Sequence, residues 1–484
     1  MQSSLPVCVL LLLVMVQLCA GAFFRTDVLL EKELLHQPHL APKQLWYTQK
    51  LDHFNKHELK TWEQRYFVNE AYWNSGSPGP IFFQLGGENM LSGAEVTHFQ
   101  MFNYGKAHGA LLVALEHRFY GLSQPFRSTT TENLAFLSSR QALADAADFV
   151  LWLKRQYNAT DSPVITFGCS YPGNLAAWFR LKYPNITLAS VASSAPVQAT
   201  PDFFQYLEAA DKSLTYVSGS QCEKNIRRAT DAIQSMLQHS AGQMKLQKLF
   251  ATCTVPRNEE DSTTFMNNMI LYWMTTVQYN DEGGNPINIR YLCNRLNEAT
   301  NPLFGYANIS NMFLQAYRQP CFDIRYSSKV AMLNDTTPSV VNFLRPYVYQ
   351  MCREFGFFQT TDSKAQPFGD RVPFSYYRHI CEDAYGIPHF TPDTNATNAY
   401  YGGKNITAKG ATNILFVNGN IDPWHVLSIT EDQSPSVKAI MVDGVAHCAD
   451  VLPSLPQDPH SLKAARRKVA RQIAQWLKNA PQRK

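Results

Sequence analysis

Two kinds of hydrophobic pattern alternate along the first part of the chain. Short apolar runs occur at residues 80–85, 110–115, 163–167 and 189–194. Between the second and third runs, Leu143, Ala147, Val150 and Leu151 recur at the spacing of one helix face. Unbroken apolar strands that alternate with amphipathic helices predict a parallel sheet covered on both faces. Aromatic-rich segments between residues 44 and 67 predict antiparallel strands at one edge of that sheet.

The pattern changes between about residues 201 and 410. This segment has helix-like runs, such as residues 265–274, and strand signals return only at 413–419 and 436–442. We therefore predict a core built from residues 46–200 and 411–484, interrupted by a helical cap insertion at 201–410. Residues 23–45 show little periodicity and are interpreted as a propeptide or an N-terminal arm.

The first residues have the features of a secretory signal peptide. An apolar run that is too short to span a bilayer ends at the small residues Ala20, Gly21 and Ala22, which predicts cleavage after residue 22. An uncleaved anchor is the alternative. No later stretch is long and apolar enough to cross a membrane, so we predict no stable membrane insertion. The expected location is the secretory pathway, in a lysosome or endosome or outside the cell.

Cysteines and glycosylation motifs agree with that location. Removing Cys8 and Cys19 from the ten cysteines leaves eight, an even number that favours disulfides. Six of the eight lie in the predicted insertion, and their spacing does not suit a metal site. Predicted glycosylation sites are the asparagines of six Asn-x-Ser/Thr motifs: Asn158, Asn185, Asn308, Asn334, Asn395 and Asn405.

Charge narrows the range of partners. The formal net charge is +4 and the basic residues are scattered, so we predict no nucleic-acid partner. The densest basic run, residues 463–471, lies on a predicted helix whose apolar face carries Val469, Ile473 and Trp476. Its basic side chains are therefore interpreted as a solvated face. No motif predicts a cofactor, and the sequence leaves room for a homodimer.

Three separated fragments carry candidate catalytic chemistry. Ser170 lies between an apolar strand and a helix-like run, the arrangement in which α/β-hydrolases place their nucleophile. Serine needs an imidazole to accept its proton and a carboxylate to orient that imidazole. Asp422 and His447 follow later strands, and the order serine, acid, histidine is typical of these enzymes. Asp443 and Asp450 are alternative acids, but Asp422 directly follows the buried strand and is favoured.

The serine turn departs from the usual Gly-x-Ser-x-Gly pattern because Pro172 replaces the second glycine. Proline is accepted in the first helical turn, and it leaves the N–H of Tyr171 available as an oxyanion donor. The second donor is predicted in the loop after an early strand, at Gly87. A plain tight turn is the alternative for that loop.

Several separated motifs resemble the serine carboxypeptidase family that includes lysosomal prolyl carboxypeptidase and dipeptidyl peptidase II. They are Gln49-Lys-Leu-Asp-His-Phe, Glu116-His-Arg-Phe-Tyr-Gly, the serine turn with Leu175-Ala-Ala-Trp, Ala192-Ser-Ser-Ala-Pro-Val and Asn418-Gly-x-x-Asp-Pro-Trp. The resemblance implies an α/β-hydrolase core with an inserted helical domain, and a serine exopeptidase that cleaves peptides near proline. It maps the triad onto Ser170, Asp422 and His447, and it places Trp424 in the proline-accepting pocket.

Some questions stay open at this stage. Glu88 and Trp424 are the predicted substrate-binding residues, but the sequence does not say whether the enzyme trims the amino or the carboxyl end. Cys169 and Cys448, which flank the predicted nucleophile and base, form either a disulfide or two buried thiols. A catalytically silent binding protein and an esterase are alternatives that share the fold.

Overall fold

The computed structural model describes residues 42–76, 79–339, 343–387 and 391–480. The predicted signal peptide and most of the predicted N-terminal arm lie outside these residues. The last residues assigned to that arm belong to the sheet, because the first strand begins at Lys43.

The strands form one large sheet and one small pair. In chain order they are β1 (Lys43–Lys50), β2 (Thr61–Asn69), β3 (Ile81–Leu85), β4 (Leu111–Leu115), β5 (Val164–Cys169), β6 (Ala189–Ser193), β7 (Thr200–Asp202), β8 (Gly356–Phe358), β9 (Ile414–Gly419) and β10 (Val437–Val442). The large sheet has the order β1-β2-β4-β3-β5-β6-β9-β10, and β7 pairs with β8. Strand β2 runs antiparallel to β1 and β4, and the other neighbours are parallel. This confirms the predicted parallel sheet with antiparallel strands at one edge.

The helices that cover the sheet explain its unbroken apolar strands. They are α1 (Gln100–His108), α2 (Thr131–Leu134), α3 (Ser139–Gln156) and α4 (Tyr171–Lys182), with a long last helix at His460–Lys478. One core cluster joins Phe82 to the last helix through Val469 and Ile473, and another joins Phe83 to Val150 of α3. Adjacent residues of β3 are therefore buried on opposite faces of the sheet. Because both faces are covered, the strand does not alternate between apolar and polar residues.

Two details of the predicted helix faces are wrong. Leu151 is 43% exposed, because the buried face of α3 runs through Leu143, Ala147 and Val150. Arg466, in the basic run assigned to solvent, is 7% exposed. Its guanidinium donates hydrogen bonds to Asp458 and to the carbonyl of Asp450. The Arg466 side chain is therefore stabilised by a buried ion pair, whereas the sequence predicted contact with water.

The segment between β6 and β9, called the insertion from here on, is mainly helical and holds three of the four described disulfides. Its helices are α5 (Gln205–Ser218), α6 (Ser220–Leu237), α7 (Ser240–Leu249), α8 (Glu259–Gln278), α9 (Ile289–Glu298), α10 (Pro302–Ala316), α11 (Tyr326–Leu333), α12 (Leu344–Gln350), α13 (Phe374–Tyr385) and α14 (Thr394–Tyr401); the last helix of the chain is then α15. Its six cysteines pair with one another, as Cys222–Cys293, Cys253–Cys321 and Cys352–Cys381. The disulfides that the even cysteine count favours are confirmed for this segment.

The surface carries the predicted glycosylation motifs. All six asparagines of those motifs are exposed. Within the described ranges, no helix combines the length and apolar character that crossing a membrane requires.

Candidate active site

The serine turn (residues 168–173) has a strained backbone. Ser170 lies between β5 and α4 with φ 63° and ψ −132°, in the half of conformational space that favours glycine. A side chain at Gly168 would place its Cβ 2.0 Å from the carbonyl oxygen of Pro172. Glycine at 168 therefore permits the tight reversal that holds Ser170 in this conformation.

Pro172 fits the turn because Gly87 has no side chain. A Cβ on Gly87 would lie 2.3 Å from Cγ of Pro172, so the proline ring fills the space beside this glycine. The contact brings the predicted second oxyanion loop against the start of α4. Tyr171 is the first residue of α4, and N–H groups in a first helical turn have no intrahelical acceptor. Both predicted oxyanion residues, Tyr171 and Gly87, thus adjoin Pro172.

Buried polar groups hold the side chain of Tyr171. Its hydroxyl lies 3.0 Å from Nε2 of His117 and accepts a hydrogen bond from Gln350 at 2.9 Å. Burial lowers the pKa of His117 to about 4, so this histidine is neutral at neutral pH.

Asp422 is the described carboxylate that contacts His447. Its Oδ2 lies 2.8 Å from Nδ1 of His447, and its Oδ1 accepts a hydrogen bond from the backbone N–H of Trp424 at 3.0 Å. Both the acid and the histidine are buried. The alternative acids are engaged elsewhere: Asp443 accepts hydrogen bonds from Tyr216 and Asn420, and Asp450 accepts one from Ser193.

The loop that carries His447 is attached to the serine turn by a disulfide. Cys448 is bonded to Cys169, with 5.8 Å between their Cα atoms, so these cysteines form a disulfide and are not two buried thiols. The half-cystines are the chain neighbours of Ser170 and His447, so the bond links the two loops that carry these residues. Cys448 has φ 61°, and its N–H donates to Oγ of Ser194 at 3.0 Å.

Gln278, at the end of α8, joins the insertion to the site, and the sequence analysis did not identify it. Its carbonyl accepts a hydrogen bond from the N–H of His447 at 3.0 Å. Its Oε1 accepts hydrogen bonds from the indole of Trp424 at 2.9 Å and from the hydroxyl of Tyr206 at 2.8 Å. No pattern in the sequence marks this glutamine, because its partners are distant in the chain.

Trp424 lies in an aromatic cluster beside His447. Its ring centroid is 5.5 Å from those of Phe203, Tyr206 and Phe357, and 6.3 Å from that of His447. The indole is therefore held in one orientation by packing and by its hydrogen bond to Gln278.

A cavity of about 230 Å³ extends from Ser170 into the insertion. Its wall contains both predicted substrate-binding residues, Glu88 and Trp424, and is otherwise largely apolar and aromatic. The carboxyl atom Oε2 of Glu88 is buried without a described hydrogen-bond partner, and burial raises the pKa of this group. Among the described wall residues, the other charged side chain is that of Lys329 on α11, which no sequence pattern marks.

The described residues contain one group with a geometry that could suggest a metal. Ligand atoms of Cys169, His447 and Cys448 lie within 4.8 Å of one another. The two cysteines are joined in a disulfide, so they offer no thiolate to a metal ion.

The mixed sheet, its strand order and the serine turn after β5 define an α/β-hydrolase. Residues 49–469 match the family model of serine carboxypeptidase S28. The chain is 37% identical to thymus-specific serine protease of Mus musculus over 92% of this chain and 89% of that protein. It is 31% identical to lysosomal Pro-X carboxypeptidase of Homo sapiens over 90% of this chain and 88% of that protein. The chain belongs to the serine carboxypeptidase S28 family and is a serine peptidase.

Proposed function

We propose that this serine peptidase is an exopeptidase that cleaves peptide bonds next to proline, with Ser170 as nucleophile, His447 as base and Asp422 as acid. The observation that carries the proposal is the buried pair of Asp422 and His447, attached through Cys448–Cys169 to the strained serine turn. A carboxylate on Nδ1 leaves Nε2 as the imidazole atom that can accept the serine proton.

The reaction follows from these roles. Oγ of Ser170 attacks the carbonyl carbon of the substrate while Nε2 of His447 takes the hydroxyl proton. The N–H groups of Tyr171 and Gly87 stabilise the negative oxygen that forms. His447 returns the proton to the leaving amine, and the acyl-enzyme remains. Water then attacks the ester with His447 again as base, which releases the acid and restores Ser170.

The environment of Trp424 supports a preference for proline. The indole lines the cavity close to His447 and is fixed by aromatic neighbours and by Gln278. A flat, rigid aromatic surface suits the pyrrolidine ring, which loses little conformational entropy on binding.

The insertion supports exopeptidase action. Residues of α8, α11, α12 and α13 line the cavity above Ser170, and the cavity has a volume of about 230 Å³. Such a space accepts the end of a flexible peptide, whereas a folded protein chain cannot enter it.

We also propose a route through the secretory pathway to a lysosome or to the outside of the cell. A relative at 31% identity is a lysosomal enzyme by name. Four disulfides and six exposed glycosylation motifs suit an oxidising compartment.

A fluorophosphonate probe and a peptide panel test the proposal on the purified, secreted protein. We expect the probe to label the wild type at Ser170 and to leave Ser170→Ala unlabelled. Peptides with proline on the acyl side should be cleaved with a higher kcat/KM than matched peptides with leucine there, provided that one end is free. Equal cleavage of doubly blocked peptides would refute exopeptidase action. An unlabelled wild type would favour a silent scaffold, and turnover of acyl esters alone would favour an esterase.

A further inference from the structure

Lys329 places a positive charge in the part of the cavity that the insertion encloses. Its Nζ donates hydrogen bonds to Oδ1 of Asn267 at 2.8 Å and to the hydroxyl of Tyr376 at 3.3 Å. Both partners are neutral, because burial keeps the pKa of Tyr376 far above neutral pH. An ammonium has three N–H donors, so one remains after these two bonds.

No described carboxylate forms an ion pair with Lys329. The acids that act on its partner Tyr376 are Glu260 and Asp261. Asp261 accepts hydrogen bonds from the backbone N–H groups of Arg257 and Tyr326, and Glu260 lies 3.6 Å from His379. Burial lowers the pKa of Lys329 to about 8, so the amine is still protonated at neutral and acidic pH. Lys329 is half-buried in the cavity wall, and its ammonium, which no described carboxylate neutralises, would favour an anionic ligand there.

The position of Asn267 fits an anion site. Its Nδ2 donates to the hydroxyl of Tyr377 at 2.8 Å, which fixes its Oδ1 toward Lys329. Asn267, Lys329 and Tyr377 all line the cavity that also contains Ser170. Glu88 directly follows Gly87 on the core side of the cavity, whereas Lys329 lies on α11 in the insertion.

We propose that Lys329 binds a carboxylate of the peptide substrate, so that the insertion selects peptides bearing a negative charge remote from the cleaved bond. This inference rests on the proposed peptidase function. The carboxylate has two possible sources, the free carboxyl terminus and an acidic side chain. The first would make the enzyme a carboxypeptidase.

Two matched peptide pairs distinguish the sources, each with proline on the acyl side. One pair differs only in a free carboxyl terminus against a terminal carboxamide. In the second pair both peptides have an amidated carboxyl terminus. One of them carries glutamate on the leaving side of the cleaved bond, and the other carries glutamine at the same position. We expect wild-type kcat/KM to favour the acid member of one pair by about 10- to 100-fold, as for a charge-assisted hydrogen bond. That ratio should approach 1 in Lys329→Met and be largely kept in Lys329→Arg.

Asn267→Asp supplies an independent test, because it places a carboxylate beside Lys329 with little change of shape. This variant should also lose the preference for the acid peptide. Comparisons use variants that fluorophosphonate labels, since labelling reports an intact nucleophile. If Lys329→Met is not labelled, the kcat/KM ratio of Asn267→Asp is the one that tests the inference. The inference would be overturned if the labelled wild type did not discriminate within either peptide pair, or if the deciding variant kept the wild-type ratio of kcat/KM. An unlabelled wild type would instead refute the proposed function.

Discussion

At the residue scale, the candidate site depends on a few backbone and side-chain constraints. Ser170 and Cys448 both adopt positive φ. Ser170 directly follows Cys169 in the chain, and Cys448 is bonded to Cys169. Such conformations cost about 1–3 kcal/mol each, so they persist only where neighbouring contacts hold them. Gly168 and Gly87 leave the space that the turn at Ser170 and Pro172 needs.

We expect Asp422→Asn to reduce kcat by about 10³- to 10⁴-fold, because an amide cannot hold His447 in the tautomer that accepts the serine proton. The change is nearly isosteric, so folding should be retained. Steady-state kinetics on a proline peptide, with circular dichroism as a check of folding, measures the effect. Asp443→Asn is the matched control, since Asp443 is a nearby carboxylate that contacts Tyr216 and Asn420 instead. Equal losses in the two variants would contradict the assignment of the acid.

At the scale of elements, disulfides of two kinds connect the chain. Cys169–Cys448 joins the end of β5 to the loop after β10, across a sequence separation of 279 residues. The other three bonds connect segments within the insertion. The first bond adjoins two proposed catalytic residues, whereas Cys253–Cys321 lies among helices away from them.

The two kinds of bond should therefore differ in what their removal affects. We expect Cys169→Ala with Cys448→Ala to lower kcat at least 10-fold, because proximity and orientation of nucleophile and base are lost. Cys253→Ala with Cys321→Ala should lower the free energy of unfolding by about 2–5 kcal/mol and leave kcat near the wild-type value. Kinetics and urea denaturation on both double variants measure this difference. Unchanged kcat in the first variant would show that the bond does not position the site.

At the scale of the whole molecule, three carboxyl groups make stability depend on pH. Burial raises the pKa of Asp211 to about 6, of Glu354 to about 7 and of Asp450 to about 6. Each group stays protonated in the folded state at a pH where the unfolded chain has already released that proton. Their stabilising contribution is complete below about pH 4 and is lost as pH rises through 6 to 7. His117 acts in the opposite direction between about pH 4 and 6.5, and so does His108, whose pKa burial also lowers. Glu88 and Asp202, whose pKa values burial raises, act in the same direction as the three carboxyl groups.

We therefore expect the free energy of unfolding to fall by a few kcal/mol from pH 5 to pH 7.5, at about 1.4 kcal/mol per unit of pKa difference. Urea denaturation at pH 5, 6 and 7.5 measures it. Glu354→Gln should show a shallower decrease, because the amide does not titrate and still offers an acceptor to the N–H of Ser139. The exposed Glu431→Gln is the control and should keep the wild-type slope. Identical slopes in all three proteins would contradict the role of Glu354.

Much of the fold could be predicted from local pattern. Apolar runs interrupted by helical spacing indicated the parallel sheet, and the residues around Ser170 indicated a sharp turn, because both depend on neighbours in the chain. Local pattern also suggested that Asp422 and His447 act together, through their order and the strands before them. It failed for Arg466, whose burial depends on carbonyl groups of a loop that packs against α15.

The sequence by itself thus determined the fold class, the family and the candidate triad, since these depend on motifs and on periodicity. Only the tertiary structure decided which cysteine Cys169 bonds, how Pro172 fits beside Gly87, and that Gln278 contacts both Trp424 and His447. It also placed Lys329 in the same cavity as Ser170. The physical reason is that these contacts join residues far apart in the chain. Their energies depend on distance and burial in three dimensions, which spacing along the sequence does not specify.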